Sequence, residues 1–435
     1  MMLHNNNKFH IIALALVLAL AAFIRFWAAP ISASPDVAQF WAFAKVFQVH
    51  GLDFYRYADA TGDIFPFYGW SFVYPPIWPL ILKGALAASS MSTATASMID
   101  VSWRIAEKTP IIMADLAIGC LLYGAVPGSK LRKLLFAGLW LFNPTVWYQS
   151  AVFGQFDAIA AAFMLLSLIS LERGWYKLAF FIAALAVMTK QHTLIPIAFM
   201  LVLNIRGMGQ RRFLTGCYIF TGVVIVLSIP FLLTGNISSY AYSLIFPGHE
   251  PGYQYPLMYA FGGSGALLTY LHNVFGWETS QLLYLNIPVL AGALLAALIL
   301  GYRKSVTPTQ GALIGILLFI GIFYRINYQY LVIYIPIALL IASRTKYRSE
   351  RALTILLAVL PALWLWLFDL TLWFNYASPK SPWVKSILDS IGLAHKGTPD
   401  YAFVLLALVI MILSLTYVVC AFLRWCHPAS GRMLN

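Results

Sequence analysis

Residues 11–29 read IIALALVLALAAFIRFWAA, a stretch with a single charge, Arg25, close to its far end. A helix rises 1.5 Å per residue, so this stretch reaches roughly 28 Å, close to the ~30 Å hydrocarbon core of a bilayer. The polar start before it carries Lys8 as its only Lys, Arg, Asp or Glu. A secretory signal would begin in the same way. However, Arg25 and the bulky Phe26-Trp27 stand where a cleavage site needs small residues, so the stretch is read as a retained spanning helix.

Outward from that helix the pattern repeats. Further apolar runs lie at 108–126, 131–150, 155–172, 175–190, 192–206, 213–235, 282–302, 309–324, 328–343, 351–374 and 401–424, making twelve with the first. Hydrophobic residues form 61% of the 435 positions, charged residues only 10%, and the mean hydropathy is +0.80. A soluble domain carries about 25% charged residues, so a water-soluble fold is a poor fit. The expected architecture is an all-α polytopic membrane bundle, one transmembrane domain over residues 1–435.

A net charge of +13 can signal nucleic-acid binding, but its placement argues for topology instead. With the amino end inside and twelve alternating helices, the inner segments hold Lys8; Lys130, Arg132, Lys133; Arg173, Lys177; Arg206, Arg211, Arg212; Arg303, Lys304; Arg344, Lys346, Arg348, Arg351; and Arg424, Arg432. These seventeen cations sit beside only two acids, Glu172 and Glu350. Short inner segments rich in Lys and Arg are the positive-inside pattern. Nucleic acid is therefore not an expected partner; membrane lipids are. Both termini are expected in the cytoplasm.

The same parity places residues 30–107 wholly outside, as a long first extracytoplasmic loop, with a second large outer loop at 236–281. The apolar stretch Phe72–Ala88 should then not cross singly. Pro75, Pro76 and Pro79 break it early, which suits an interfacial or re-entrant helix, or a helical hairpin. The cysteines, Cys120, Cys217, Cys420 and Cys426, lie within or just inside expected spans, so no disulfide is expected.

The first outer loop holds Asp36, Asp53, Asp59, Asp63, Asp100 and Glu107. Among them stand many aromatics, including Phe40, Trp41, Tyr55, Phe65, Phe67, Tyr68, Trp70, Tyr74 and Trp78. Such rings form an interfacial belt, and they also make platforms for the CH faces of sugars. Asp36 follows Ser34-Pro35 just past the first span. Either Ser34 or Asp36 would cap a short helix with Pro35 in its first turn. Alternatively, Asp36 is a carboxylate at the lipid–water boundary that takes a proton from a substrate hydroxyl. The residues alone leave both readings open.

Arg104, Lys108 and Asp115 fall on one helix face by their spacing. An unpaired carboxylate inside a membrane is costly, so Asp115 is expected to pair with Lys108. Lys190 in Thr189-Lys190-Gln191-His192 and Arg325 in Tyr324-Arg325-Ile326-Asn327 are cations at outer helix ends, against the positive-inside trend. They suit a phosphate at headgroup level, although snorkelling to ordinary lipid is the structural alternative.

In order, then, the chain shows Asp36, Tyr74-Pro75-Pro76, a basic residue before Ala114-Asp115-Leu116, Asn143-Pro144, Gly154-Gln155-Phe156-Asp157 and Lys190-Gln191. This series resembles the GT-C glycosyltransferases that use polyprenyl-phosphate sugars. The nearest likeness is to dolichyl-phosphate-glucose glucosyltransferases and to bacterial proteins similar to GPI mannosyltransferase II. The resemblance covers residues 10–200 by motif and the rest by topology. It implies a GT-C-like fold and an inverting hexosyltransferase (mannose or glucose) working on the periplasmic or lumenal face. The partners implied are a polyprenyl-phosphate sugar donor and a lipid-linked or cell-envelope glycan acceptor.

In that scheme Asp36 is the general base, and Lys190 and Arg325, helped by Arg104 and Lys108, hold the donor phosphate. Gln155, Asp157, Gln191, Tyr74 and Asp115 line the substrate site. A good phosphate leaving group beside fixed cations needs no metal, so no cofactor is expected. The turn around Arg325 departs from the histidine-rich turn of the eukaryotic glucosyltransferases.

Short inner loops suit a bacterial inner membrane. Asn236-Ile237-Ser238 matches a glycosylation sequon by chance, and Pro247–Gly252 forms an outer loop or a lid. A transporter or flippase for a lipid-linked sugar is the alternative, with a scaffold subunit behind it. The lack of an internal repeat and the acid-rich first loop weigh against transport.

Overall fold

The computed structural model describes residues 2–59, 71–92, 100–234, 237–245, 262–304, 306–324, 326–363 and 400–426. About 87% is helical, and no strand occurs among the described residues. Four helices, His10–Ile31, Gln210–Thr234, Leu285–Arg303 and Tyr401–Arg424, are long and apolar enough to cross a membrane. The chain is an all-α membrane protein. Shorter apolar helices, such as Tyr176–Thr189 and Pro308–Ile322, reach only about 20 Å at 1.5 Å per residue.

In chain order the main helices are α1 (Met2–Ala28), α2 (Pro35–His50), α3 (Ile77–Ser92), α4 (Val101–Ala125), α5 (Lys130–Leu141), α6 (Asp157–Glu172) and α7 (Tyr176–Thr189). There follow α8 (Leu194–Val202), α9 (Gln210–Thr234), α10 (Ser264–Phe275), α11 (Ser280–Arg303), α12 (Pro308–Ile322), α13 (Leu331–Arg344), α14 (Arg348–Val359) and α15 (Asp400–Cys426). Two compact units divide the chain.

The first unit comprises residues 1–193, 215–255 and 362–398. Its middle is α4, which packs against α1, α2, α3, α5 and α6 through buried Trp103, Ile111, Ile112, Ile118 and Leu122. The hairpin of α6 and α7 buries Ala158, Ala160, Ala161, Ala179, Ala183 and Ala186, small residues that let two backbones approach closely. Ser34 caps α2: its hydroxyl accepts from Val37 N at 3.3 Å, with Pro35 in the first turn. Asp36 therefore does not provide the cap. Helix α3 starts directly after Pro75-Pro76, as the proline pattern requires.

The apolar run 131–150 is not one helix. Helix α5 stops at Leu141, because Pro144 lacks the N–H that would continue the ladder. The Asn143 side chain then accepts from Thr145 N at 3.0 Å and caps a short turn, Pro144–Trp147. A π-helical turn, Tyr148–Phe153, follows and ends on Gly154 in the left-handed region at φ 78°. Hydropathy alone cannot distinguish this broken path from a continuous helix.

The second unit comprises residues 194–214, 256–361 and 399–435. Its core is α12 and α13, which are buried on nearly every side. A capping box of Thr307 and Gln310 starts α12. Glu350, one of the two acids expected on the inner side, accepts from Arg424 Nη1 at 2.7 Å and from Thr345 Oγ1 at 2.6 Å. That tie joins α14 to α15 and compensates an otherwise costly buried charge.

Candidate functional site

The first unit gathers most of the polar residues singled out above around the start of α2. Asp36 sits in the first turn of that helix, half-buried. The Gln155 side-chain amide donates to Asp36 Oδ2. Gln155 itself is positioned by the π turn: its backbone N–H, like that of Gly154, donates to Gln149 O. The entry into α2 is held from two further directions. Trp103 Nε1 of α4 donates to Val37 O at 2.9 Å, and the Ser34 hydroxyl donates to Phe153 O. Burial pushes the Asp36 carboxyl up to about 6. The Gln155 hydrogen bond and Lys190 act in the opposite direction, and Asp157 adds a smaller upward push.

Beyond Gln155, Lys190 and Asp157 form a buried ion pair, Nζ to Oδ2 at 2.5 Å. The His192 ring approaches the other carboxylate oxygen, at 3.9 Å. Aromatic faces complete the enclosure of the ammonium, with the Phe156 ring centre at 4.6 Å and Tyr74 at 5.5 Å. Phe156 in turn stacks on Trp78 with centres 4.1 Å apart. Gln191 donates from Nε2 to Val73 O at 2.7 Å, tying the end of α7 to the segment that carries Tyr74. Asp36, Gln155, Asp157, Lys190, Gln191 and Tyr74 thus belong to one cluster.

The cations named from the sequence differ in their commitments. Lys190 is paired with Asp157. Lys108 points back to the end of α1, where its ammonium donates to Ser32 O (2.7 Å), Ser32 Oγ (3.1 Å) and Ala29 O (3.2 Å). It braces the approach to Asp36 with all three of its protons. Arg104, one turn before it, is buried with no carboxylate within salt-bridge distance among the described residues, and its Nε has no hydrogen-bond partner. Arg325 lies outside the described residues, as do Asp63, Phe65, Phe67, Tyr68, Trp70, Asn236 and the 247–252 loop.

The expected pairing of Asp115 with Lys108 is not found. Asp115 instead binds Arg25 of α1, Nε to Oδ2 at 2.8 Å, and accepts from Ser150 Oγ at 2.5 Å. Arg25 also donates to Leu141 O at 2.9 Å. Lys108 is two helical turns from Asp115, about 10 Å along the axis, whereas α1 brings a guanidinium directly alongside. The ion pair fixes α1, α4, α5 and the π turn together, and it engages one oxygen of Asp115 with structural partners. Spacing within one helix could not reveal a partner from another helix.

One acid was recognised in the sequence only as part of the loop's charge. Glu107, in the second turn of α4, is fully buried, and neither carboxyl oxygen has a hydrogen-bond partner among the described residues. It lies against Gly154, where a Cβ would stand 3.0 Å from Glu107 Oε2 and 2.5 Å from Val37 Cγ2. No hydropathy or motif signal marks this residue; its significance lies in tertiary packing.

Chemically, the cluster offers a half-exposed carboxylate with a raised proton affinity, fixed by an amide, beside aromatic faces and a buried cation. No protein-family model matches the chain, and no curated protein matches it.

Proposed function

We propose that the chain is an inverting glycosyltransferase that moves a hexose from a polyprenyl-phosphate donor to an acceptor hydroxyl. The observation that carries this reading is the division of labour at the start of α2. Ser34 performs the helix cap, which leaves Asp36 half-exposed with one oxygen held by Gln155. A carboxylate whose affinity for a proton lies near neutrality is suited to general-base work.

In the proposed step the acceptor oxygen attacks the anomeric carbon and forms the new C–O bond. The bond from that carbon to the phosphate oxygen breaks, and the hydroxyl proton passes to Asp36. Positive charge builds on the sugar and negative charge on the departing phosphate, so a fixed cation stabilises the separation. Arg104, which makes no salt bridge among the described residues although the Asp100 charge acts on it, is a candidate phosphate ligand. Lys190 contributes if it exchanges Asp157 for the phosphate. The aromatic faces of Tyr74 and Phe156 offer packing for the sugar, and Gln155 and Gln191 each carry a side-chain oxygen able to accept from hydroxyls. A twelve-span arrangement with both termini in the cytoplasm of a bacterial inner membrane puts this cluster on the periplasmic face. The acceptor is a lipid-linked or cell-envelope glycan.

The test is transfer from a radiolabelled polyprenyl-phosphate hexose by detergent-purified protein, wild type against Asp36→Asn at matched folded yield. Loss of a general base costs about a hundredfold or more. That collapse is the expected result, while an active D36N would remove Asp36 from the role. Absence of transfer by wild type from mannosyl and glucosyl donors alike would turn the reading toward transport, which detergent solution cannot display.

A further inference from the structure

The buried acid behind Asp36 has no function in the scheme so far. Glu107 lies against Gly154 at the end of the π turn, at a position that Val37 of α2 also crowds. Its neighbours on α4 do not neutralise it. Lys108 spends its protons on the 29–32 turn, and Arg104 makes no ion pair with it although it lies one turn away. Asp36 precedes Val37 and is held by Gln155, so its carboxyl flanks the same turn that Glu107 lies against, and its charge reaches Glu107. A carboxylate at Glu107 would be a dry anion with no hydrogen-bond donor among the described residues, favoured by the Lys108 charge and opposed by that of Asp36. Burying an isolated charge costs far more than burying a neutral acid, so such a group keeps its proton.

We propose that Glu107 is a positioning residue for Asp36: the two carboxyls form an acid pair that holds one proton at rest, kept by Glu107, so that Asp36 alone carries the negative charge. When Asp36 accepts the hydroxyl proton the pair holds two, and the half-exposed Asp36 returns one to water. The arrangement confines the charge to the oxygen atoms that Gln155 orients. It also spares the site a further anion beside Asp36 and the paired Asp157 where a donor phosphate must approach. Two carboxyls that interact closely titrate as a unit, with the second ionisation displaced upward. The direction agrees with the setting of Glu107, whose carboxyl burial pushes well above its ordinary value; Lys108 opposes the rise and Asp36 adds to it. The groups facing Asp36 in turn are Gln155, Lys190 and Asp157.

The catalytic use of the pair rests on Asp36 being the base, but the shared proton does not, and the two can be tested apart. Infrared spectroscopy of the purified full-length protein reads the C=O stretch of a protonated carboxylic acid, which is distinct from that of a carboxylate. Wild type should show such a band at neutral pH, and Glu107→Gln should lose it. In Asp36→Asn, which leaves Glu107 intact, the band should persist but disappear at lower pH than in wild type, because the neighbouring charge is gone. A band that survives E107Q, or that titrates identically in wild type and D36N, would overturn the pair. Coupled titration in a protein that transfers no sugar would leave the pair standing and remove the transferase reading instead. In an active protein, E107Q should keep the rise of kcat/KM through about pH 6 and lose any fall at alkaline pH. Superimposable profiles would show that Glu107 does not govern the state of Asp36.

Discussion

Asp36 combines two properties that favour opposite outcomes. Its carboxyl titrates at about 6 in the fold, against 3.8 when unhindered, because burial disfavours the charged form. As a base it must be ionised, so sugar transfer should rise with pH through about 6 and level above it. For stability the sign is reversed. Between about pH 4 and 6 the native state binds more protons at this residue than the unfolded chain does, so its contribution to stability falls as pH rises through that window. Asp36→Asn removes the charge and can still accept from Gln155. The variant should therefore unfold at a higher temperature than wild type at pH 7.5, with the difference vanishing near pH 4, while losing transfer. Thermal unfolding in detergent at the two pH values checks this; a D36N less stable than wild type at pH 7.5 would mean that the carboxylate is a structural anchor. The residue itself was legible in Ser34-Pro35-Asp36. What separated its two readings was a hydrogen bond from the adjacent backbone to Ser34, which composition cannot supply.

At the level of elements, the segment that decides the site is the broken end of α5. Pro144 ends α5, but the run 131–150 reads as continuously apolar, and neither the π turn of 148–153 nor the left-handed Gly154 shows in hydropathy. Several helices of the first unit were legible as apolar runs, because the length of such a run does not depend on what packs against it. The partners of Asp115 and Glu107 were not, because they come from chain segments far away in sequence, Arg25 above all. Gly154 offers a clean test of the turn. A left-handed backbone costs a residue with Cβ roughly 1–2 kcal/mol, and here the Cβ would also strike Val37 and Glu107. Gly174 has nearly the same φ, 77°, with nothing within 4 Å of its Cβ position. Gly174→Ala should lose only that backbone contribution and keep its activity. Gly154→Ala should lose more stability and, by displacing Gln155, lower transfer by up to about a hundredfold. Equal losses in the two variants, measured by thermal unfolding and transfer at matched yield, would mean that the turn does not position Asp36.

For the whole molecule, charge speaks more clearly than helix length. Four helices are long and apolar enough to cross a bilayer unaided, whereas the twelve apolar runs include helices of about 20 Å that bury their flanks within their own unit. Among the described residues, length and composition alone mark these four and leave the shorter helices unassigned. The distribution of Lys and Arg does not depend on length, and the twelve-span proposal built on it puts 30–107 on one side and 344–351 on the other. Val49 on α2 is 74% exposed and Tyr347, just before α14, is 61% exposed, so a cysteine at either place can meet a reagent. In a background with the four native cysteines changed to serine, Val49→Cys should react with a membrane-impermeant maleimide in intact spheroplasts. Tyr347→Cys should react only after the membrane is permeabilised. The transferase reading requires this outcome, because Asp36 shares α2 with Val49 and a polyprenyl-phosphate sugar used on the periplasmic face must meet its base there. Labelling of both cysteines from the same side would break the twelve-span alternation. A reversed pattern would place Asp36 in the cytoplasm, where soluble nucleotide sugars are the competing donors and the case for a lipid-phosphate substrate would fail.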